Sequence, residues 1–236
     1  TCKSGDSDSA CGTGGDTCSD CSFDEKCQNG TCTLESCQER CTTGCCDGSS
    51  CKSGLSDNNC GVGGDACESC QQGFTCKSLG FGGSDGGDCK PKDGSRWDVI
   101  AVRGKVPKTR KVSSGRGTTT DSKWDSFSKP DVRLKVKVTG QTQTYKGKTS
   151  VDKDDLTPEW GETTVTDVRA DDLQSFGDTE LKLKDDDVLA DDHIATCETQ
   201  FFSSHFDGNV HKFECKQDHA GEEITTDVYL RLQYHP

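Results

Sequence analysis

Apolar and polar residues alternate strictly in the C-terminal part of the chain. Residues 132–138 read VRLKVKV, and Val228, Leu230 and Leu232 alternate in the same way near the C-terminus. Alternation with period two places every second side chain on one face of a strand. Seven or eight short segments of this kind lie within 97–236, and none has a helical period longer than two turns. The pattern predicts an antiparallel β-sandwich.

The N-terminal part has too few apolar residues to build a core. Residues 1–90 hold seven residues of the types Leu, Ile, Val and Phe, whereas residues 91–236 hold 30. Cysteine is distributed in the opposite way, with 16 in the first part and two in the second. A segment so poor in apolar side chains does not fold by burial alone. We therefore expect disulfide bonds to hold the first part together.

Residues 2–27 and 51–76 are two copies of one cysteine-rich sequence. They are identical at 14 of 26 aligned positions, and every cysteine of the first copy has a counterpart 49 residues later. Cys32 has only an approximate counterpart in Cys89. The spacing resembles the EGF-like and knottin-like modules of secreted proteins. We therefore expect a first module at residues 1–36 and a second module at 37–79. A Gly-rich linker at 80–96 then leads to a sandwich domain at 97–236.

Two CxxC pairs, Cys18 with Cys21 and Cys67 with Cys70, raise the alternatives of a zinc site and a redox site. A zinc site needs four thiolate or imidazole ligands, and the N-terminal part contains no histidine. A redox CxxC begins a helix after a strand, whereas these pairs are surrounded by Gly, Ser and Asp. Structural disulfides explain the pairs better and indicate an oxidising compartment. We expect a secreted protein, extracellular or at the cell surface, with a signal peptide removed before Thr1; a trimmed chain is the alternative.

The formal net charge of −13 excludes nonspecific nucleic-acid binding, which depends on patches of Lys and Arg. In the C-terminal part, aspartates cluster at the ends of three predicted strands. Converging carboxylates repel one another, and a bound cation removes that repulsion. Several oxygen ligands on loops suit Ca²⁺. The aspartates at these strand ends are Asp125, Asp131, Asp154, Asp155, Asp185, Asp187 and Asp191.

Several segments of the C-terminal part resemble, in order, the sequence of a C2 domain. KPDVRLKV is similar to the DPYVKV stretch of that family, LTPEWGE (156–162) to LNPVWNE, and DDDVLADDHIA (185–195) to the third calcium loop. The resemblance covers about 140 residues, from Trp97 to Pro236. It implies an all-β fold, in which small disulfide-rich repeats precede an antiparallel eight-stranded C2 β-sandwich.

The resemblance also implies the calcium ligands, with the loop spacing of the phospholipase-type members. Loop one supplies two of them, loop two supplies one and loop three supplies three. These ligands are Asp125, Asp131, Asp154, Asp185, Asp187 and Asp191. If the alignment of the third loop shifts by one residue, Asp186 and Asp192 become calcium ligands in place of their neighbours. Solvated loop tips without an ion are the alternative explanation for the set.

Apolar residues near these ligands suggest contact with a bilayer. Val188 and Leu189 lie between third-loop ligands, where they can enter a membrane once Ca²⁺ neutralises the aspartates. Trp124 and Phe127 flank the first loop and either assist in this or pack under an insert at 105–124. Outside the loops, Cys197 and Cys215 are expected to form a disulfide, which fits a domain adapted to the outside of the cell; two buried thiols are the alternative.

We expect a secreted, non-enzymatic calcium-binding protein that attaches to a phospholipid membrane or a surface polymer through its C2-type domain, with the modules as a stalk. The alternative is a structural subunit of an extracellular fibre or surface assembly, a homo-oligomer or filament in which Ca²⁺ rigidifies loops or bridges subunits. The sequence contains no HExxH or P-loop motif of an enzyme. Of the five histidines, His205 and His211 are the two that lie close enough in the sequence to approach each other.

Overall fold

The computed structural model describes residues 5–13, 17–22, 24–80, 86–113, 119–124, 128–175, 179–186, 192–219 and 222–236. The chain divides into two compact units, Thr1–Lys90 and Pro91–Pro236. No helix among the described residues combines the length and the apolar character needed to cross a membrane.

The first unit, which we call the cysteine-rich unit, is built from short hairpins and one helical turn. Its described strands pair in sequence order as five two-stranded sheets. The strands are β1 (Asp6–Ser7), β2 (Ala10–Cys11), β3 (Glu25–Gln28), β4 (Thr31–Leu34), β5 (Cys45–Asp47), β6 (Ser50–Lys52), β7 (Leu55–Ser56), β8 (Asn59–Cys60), β9 (Phe74–Ser78) and β10 (Gly87–Pro91). Helix α1 (Cys37–Arg40) begins at a capping box, in which the Ser36 hydroxyl accepts from the Glu39 N–H and the Glu39 carboxylate accepts from the Ser36 N–H.

Disulfide bonds take the place of an apolar core in this unit. Among its described residues, the only buried apolar side chains are Cys11, Cys41, Cys45 and Cys60. Three groups of cysteine sulfurs come within 4.8 Å of one another, but every cysteine in them is disulfide-bonded and has no thiolate to offer a metal. The prediction of structural disulfides is confirmed. The pairs are Cys11–Cys27, Cys21–Cys32, Cys37–Cys46, Cys41–Cys51, Cys45–Cys67, Cys60–Cys76 and Cys70–Cys89.

The sequence duplication is also a duplication of structure. Cys11–Cys27 corresponds to Cys60–Cys76, and Cys21–Cys32 corresponds to Cys70–Cys89. In the first copy, β3 and β4 are joined by Asn29 and Gly30, both at positive φ, as a tight hairpin requires. In the second copy, residues 79–86 join β9 to β10. Because this connection is longer, Cys89 follows Cys32 by more than the 49 residues that separate the other aligned cysteines.

The predicted Gly-rich linker at 80–96 is too long. Residues Gly87–Pro91 form β10, which belongs to the second module, and Cys89 is bonded to Cys70. The reason is that pairing with β9 and the Cys70–Cys89 disulfide together hold a strand that has no apolar alternation of its own. Residues 81–85 of the predicted linker lie outside the described residues.

The second unit, which we call the sandwich, consists of two four-stranded antiparallel sheets. Their strand orders are β16-β11-β20-β19 and β15-β14-β17-β18. The elements are β11 (Arg96–Lys105), β12 (Arg110–Ser113), β13 (Thr119–Ser122), β14 (Val132–Thr139), β15 (Thr144–Lys148), β16 (Glu159–Arg169), α2 (Ala170–Gln174), β17 (Thr179–Asp185), β18 (Asp192–Thr199), a 3₁₀ turn (Ser203–Phe206), β19 (Val210–His219) and β20 (Glu222–His235). The predicted eight-stranded antiparallel sandwich is confirmed. Strands β12 and β13 form an additional hairpin inside the predicted insert.

The core lies between the two sheets, as the period-two pattern predicts. The apolar residues of β14, which are Val132, Leu134, Val136 and Val138, are at most 1% exposed. Trp97 of β11 packs edge-on against Phe206, with ring centroids 4.9 Å apart. Each fully buried side chain of this size contributes about 1.5–3 kcal/mol. The Cys197–Cys215 disulfide joins β18 of one sheet to β19 of the other and so connects the two layers covalently.

Candidate metal centre

Two of the aspartates of interest meet because of strand pairing. Strand β14 begins beside the end of β17, with Val132 opposite Asp185 in the antiparallel register. The N–H of Asp131 donates to the Asp185 carboxylate at 2.7 Å, and the N–H of Asp186 donates to the Asp131 carbonyl at 2.8 Å. Asp185 is fully buried, whereas Asp131 is half-buried. The start of β14 and the end of β17 therefore present two carboxylates at one end of the sandwich.

The loop before β16 brings a third carboxylate to the same place. Asp152 forms an antiparallel bridge with Val132, which fixes the loop against the start of β14. The N–H of Asp154 then donates to the Asp131 carboxylate at 3.0 Å. Asp154 has φ of 54°, a left-handed conformation that Asp tolerates better than most residues. Hydrogen bonds thus join Asp131, Asp154 and Asp185 from three separate segments, although their carboxylate oxygens do not form a group within 4.8 Å of one another.

The neighbouring aspartates have other contacts. The Asp155 carboxylate accepts from the N–H of Thr157 at 3.0 Å, which closes a local turn. The Asp152 carboxylate accepts from the N–H of Glu159 at 2.9 Å and so supports the start of β16. Asp186 forms an ion pair with Arg133 at 2.8 Å. That ion pair makes Asp186 a weaker ligand candidate than Asp185, because Arg133 already compensates its charge.

Half of the predicted calcium ligands lie outside the described residues. These are Asp125, Asp187 and Asp191, together with the predicted membrane-contacting residues Val188, Leu189 and Phe127. Asp192 begins β18, but nothing of its side chain is described. The donors that are described are carboxylate oxygens from three loops, the ligand chemistry that Ca²⁺ prefers. The described aspartates are therefore of the ligand type that the predicted Ca²⁺ ion requires.

Trp124 does not act as a membrane-contacting residue in this structure, and that prediction is wrong. Its side chain is 4% exposed, and its indole N–H donates to the carbonyl of Pro107 at 2.7 Å. A buried Trp with a satisfied N–H gains nothing by leaving the protein. It lines a cleft of about 340 Å³ together with Leu156 and three lysines, which are Lys108, Lys123 and Lys129.

A histidine cluster, which the sequence only hinted at, occupies the start of β19. The rings of His205 and His211 are 4.8 Å apart, and Nε2 of His211 lies 2.8 Å from the Asp207 carboxylate. Burial raises the pKa of Asp207, but hydrogen bonds from His211 and Asn209 outweigh it and lower that pKa to about 2. Burial and the neighbouring His211 lower the pKa of His205. The hydrogen bonds of this cluster link it to a carboxylate and to the backbone, as in a structural turn.

Comparison with known proteins identifies one domain. A sequence profile of the C2 domain matches residues 108–215. A search of curated proteins finds no match. Similar solved structures include a C2 domain that is 19% identical, with 58% of this chain and 97% of that chain covered and a TM-score of 0.34.

Two further similar structures are extended synaptotagmins. The C2A domain of plant extended synaptotagmin 1 is 16% identical, with 61% of this chain and 98% of that chain covered and a TM-score of 0.41. The calcium-bound C2A and C2B domains of extended synaptotagmin 2 are 16% identical, with 61% and 46% covered and a TM-score of 0.38.

Proposed function

Residues 108–215 form a C2 domain, and on this basis we propose that the protein binds Ca²⁺ where Asp131, Asp154 and Asp185 meet and thereby attaches to anionic phospholipid. One observation carries the proposal: the backbone N–H groups of Asp154 and Asp131 donate to the carboxylates of Asp131 and Asp185, which holds three acidic segments at one end of the sandwich. Acidic residues gathered at one end of the sandwich repel one another, and a divalent cation would offset that repulsion. The proposal contains no catalytic step.

Each described residue has a distinct part in this site. Asp185 is buried and orients the backbone of Asp131, whereas Asp154 is exposed and free of strand pairing. When bound, Ca²⁺ supplies positive charge that cancels the carboxylates and leaves coordination positions for phosphate oxygens. Asp125, Asp187 and Asp191 remain the predicted additional ligands.

The lysines around Trp124 support attraction to a negative membrane surface. Lys108, Lys123 and Lys129 line the cleft beside Trp124, and Lys108 and Lys129 are exposed. A basic side chain near an anionic surface contributes about 1 kcal/mol. We therefore place the polar contact at these lysines rather than at Trp124, with Val188 and Leu189 as the proposed apolar contact.

We also propose that the protein acts outside the cell. Every cysteine among the described residues is disulfide-bonded, which fits an oxidising compartment. Extracellular calcium modules commonly have dissociation constants of about 10⁻⁴–10⁻³ M, because calcium is abundant there. A weak site is then sufficient, and the ion acts as a constant structural component.

Neighbouring aspartates provide a matched pair of variants for the test. We expect Asp154→Asn to weaken Ca²⁺ binding by about tenfold or more in calorimetry, because it removes one exposed ligand charge. Asp155→Asn, whose carboxylate closes the turn at Thr157, should leave the calcium affinity unchanged. Equal calcium affinities for the two variants would contradict the site assignment.

Vesicle sedimentation tests the membrane part separately. The wild-type protein should pellet with vesicles that contain phosphatidylserine when Ca²⁺ is present, and remain in solution with a chelator or with neutral vesicles. Calcium binding in calorimetry without calcium-dependent pelleting would refute the membrane part and leave the ion-binding part intact.

A further inference from the structure

The hairpin of the first cysteine-rich module carries a tripeptide that the proposed calcium function does not use. Asn29, Gly30 and Thr31 read Asn-x-Thr, the acceptor sequence for N-linked glycosylation in secreted proteins. The chain contains four asparagines, and Asn29 is the one that is followed by Ser or Thr two residues later. Because so short a motif also occurs by chance, the conformation and surroundings of the segment decide whether it can hold a glycan.

Backbone pairing places the tripeptide at the tip of the hairpin. Gln28 of β3 pairs with Thr31 of β4, so that Asn29 and Gly30 are the two residues of the turn. Both have positive φ, at 52° and 75°, as a type I′ turn requires. The turn accounts for the choice of Asn29 and Gly30, but it does not require the hydroxyl group of Thr31.

The two side chains that define a glycan acceptor are both exposed. Asn29 and Thr31 lie on the surface of the cysteine-rich unit. Gly30 lies against the preceding part of the module, because a Cβ atom at this position would clash with the methyl group of Thr13 and with the backbone of Gly12. The turn therefore contacts the module through Gly30 while Asn29 stays exposed. A glycan is bulky and hydrophilic and needs an attachment point of this kind.

Two disulfides hold the hairpin in place behind the turn. Cys27 and Cys32 are directly opposite one another in β3 and β4. Cys27 is bonded to Cys11, and Cys32 is bonded to Cys21. These bonds fix both strands of the hairpin without using the side chain of Asn29. A glycan on Asn29 is therefore compatible with the folded, fully cross-linked module.

The second module has the equivalent disulfides without the tripeptide. The residues 49 positions after Asn29, Gly30 and Thr31 are Ser78, Leu79 and Gly80. They lie where the second module has its longer connection, between β9 and β10. Both modules nevertheless form the two corresponding disulfides. The fold of a module thus does not depend on Asn-x-Thr, and the first module has a feature beyond what its fold requires.

We propose that Asn29 carries an N-linked oligosaccharide that is attached in the secretory pathway. The side-chain Nδ2 of Asn29 forms a bond to the anomeric carbon of an oligosaccharide carried on a lipid diphosphate. The bond from that carbon to the diphosphate oxygen breaks, the lipid diphosphate leaves with the electron pair, and Nδ2 loses one proton. The Thr31 hydroxyl is the group by which the transferase recognises the acceptor. The inference rests on the proposed location outside the cell, and it uses no residue of the candidate metal centre.

Secretion of the full chain from cultured eukaryotic cells tests the site. The wild-type protein should lose mass when an amidase that removes N-linked glycans converts Asn29 to Asp. If the digestion is done in water enriched in heavy oxygen, mass spectrometry of the peptide identifies the converted residue. A parallel sample without amidase measures spontaneous deamidation, to which an exposed Asn-Gly sequence is prone.

A matched set of variants separates the acceptor from the turn. Asn29→Asp keeps a residue that tolerates positive φ but has no amide nitrogen, and it should lose the entire mass shift. Thr31→Val keeps the β-branched shape without the hydroxyl and should also lose the shift, whereas Thr31→Ser should retain it. Thr33→Val removes a hydroxyl from the same strand outside the tripeptide and should leave the glycan unchanged. Peptide mapping without reductant checks that each variant forms the two disulfides of the hairpin.

The possible results distinguish a failure of the glycan from a failure of the proposed location. Secreted wild-type protein with complete disulfides and unmodified Asn29 would overturn the inference and leave the location intact. A mass shift that persists in Asn29→Asp would also overturn it, because the glycan would then lie elsewhere. Cysteines of the native protein that react with a thiol reagent would refute the location itself, even if the secreted chain is glycosylated.

Discussion

His205 shows how one residue makes the stability of this protein depend on pH. Its Nδ1 accepts the N–H of Phe202 at 3.0 Å, and its ring lies among Phe201, Phe202 and Phe213. Burial, and then the nearby charge of His211, lower the pKa of His205 in the folded state. Neutral His205 therefore suits the folded protein, whereas the unfolded chain takes up a proton near pH 6.5.

We expect folding stability to decrease as the pH falls below about 6.5, because the unfolded state then binds more protons than the folded state. His205→Asn keeps a side-chain acceptor for the Phe202 N–H but does not titrate. Between pH 7.5 and pH 5, the melting temperature of the variant, measured by circular dichroism, should fall less than that of the wild type. An identical pH dependence of both proteins would show that His205 is not responsible.

At the scale of elements, the two modules show what a spacing pattern reveals and what it does not. The five aligned cysteines identify the duplication, but they leave the pairing open. The structure pairs Cys70 with Cys89, because residues 79–86 extend a connection that needs only Asn29 and Gly30 in the first module. Strand β10, Gly-Asp-Cys-Lys-Pro, has no apolar alternation and could not be predicted from its sequence.

The longer connection leads to a prediction about the two equivalent disulfides. Replacing both Cys70 and Cys89 by Ser should increase amide hydrogen exchange in β10 strongly, because β10 then has no covalent link across a long connection and keeps only its backbone pairing. The matched variant without Cys21–Cys32 should affect β4 less, since the tight turn still holds that hairpin together. Exchange measured by mass spectrometry distinguishes the two, and an equal increase in both strands would contradict the explanation.

For the molecule as a whole, the two units are stabilised by different forces. The cysteine-rich unit buries almost only cysteine sulfur among its described residues, whereas the sandwich buries a layer of Val, Leu, Ile and aromatic side chains. Covalent cross-links act mainly by restricting the unfolded chain, while apolar burial stabilises the folded chain directly. The two units should therefore respond differently to reduction.

We expect a reductant such as dithiothreitol to unfold the cysteine-rich unit and to leave the sandwich folded. The sandwich contains only the Cys197–Cys215 disulfide, and its core does not depend on that bond alone. Hydrogen exchange should rise to the unfolded level within 5–80 and stay protected in β11, β14 and β20. Protection that persists in the reduced cysteine-rich unit would contradict this account.

The sequence by itself determined the sandwich, the duplication and the resemblance to a C2 domain, because alternation and cysteine spacing are local patterns that survive without a structure. Only the tertiary structure decided which cysteines pair, that Trp124 is buried, and that hydrogen bonds join Asp131, Asp154 and Asp185. The same holds for the lysines of β14, β15 and β17, which cross-strand register places beside one another. Such features join residues far apart in the chain, and their positions follow from how strands pair and how the backbone turns.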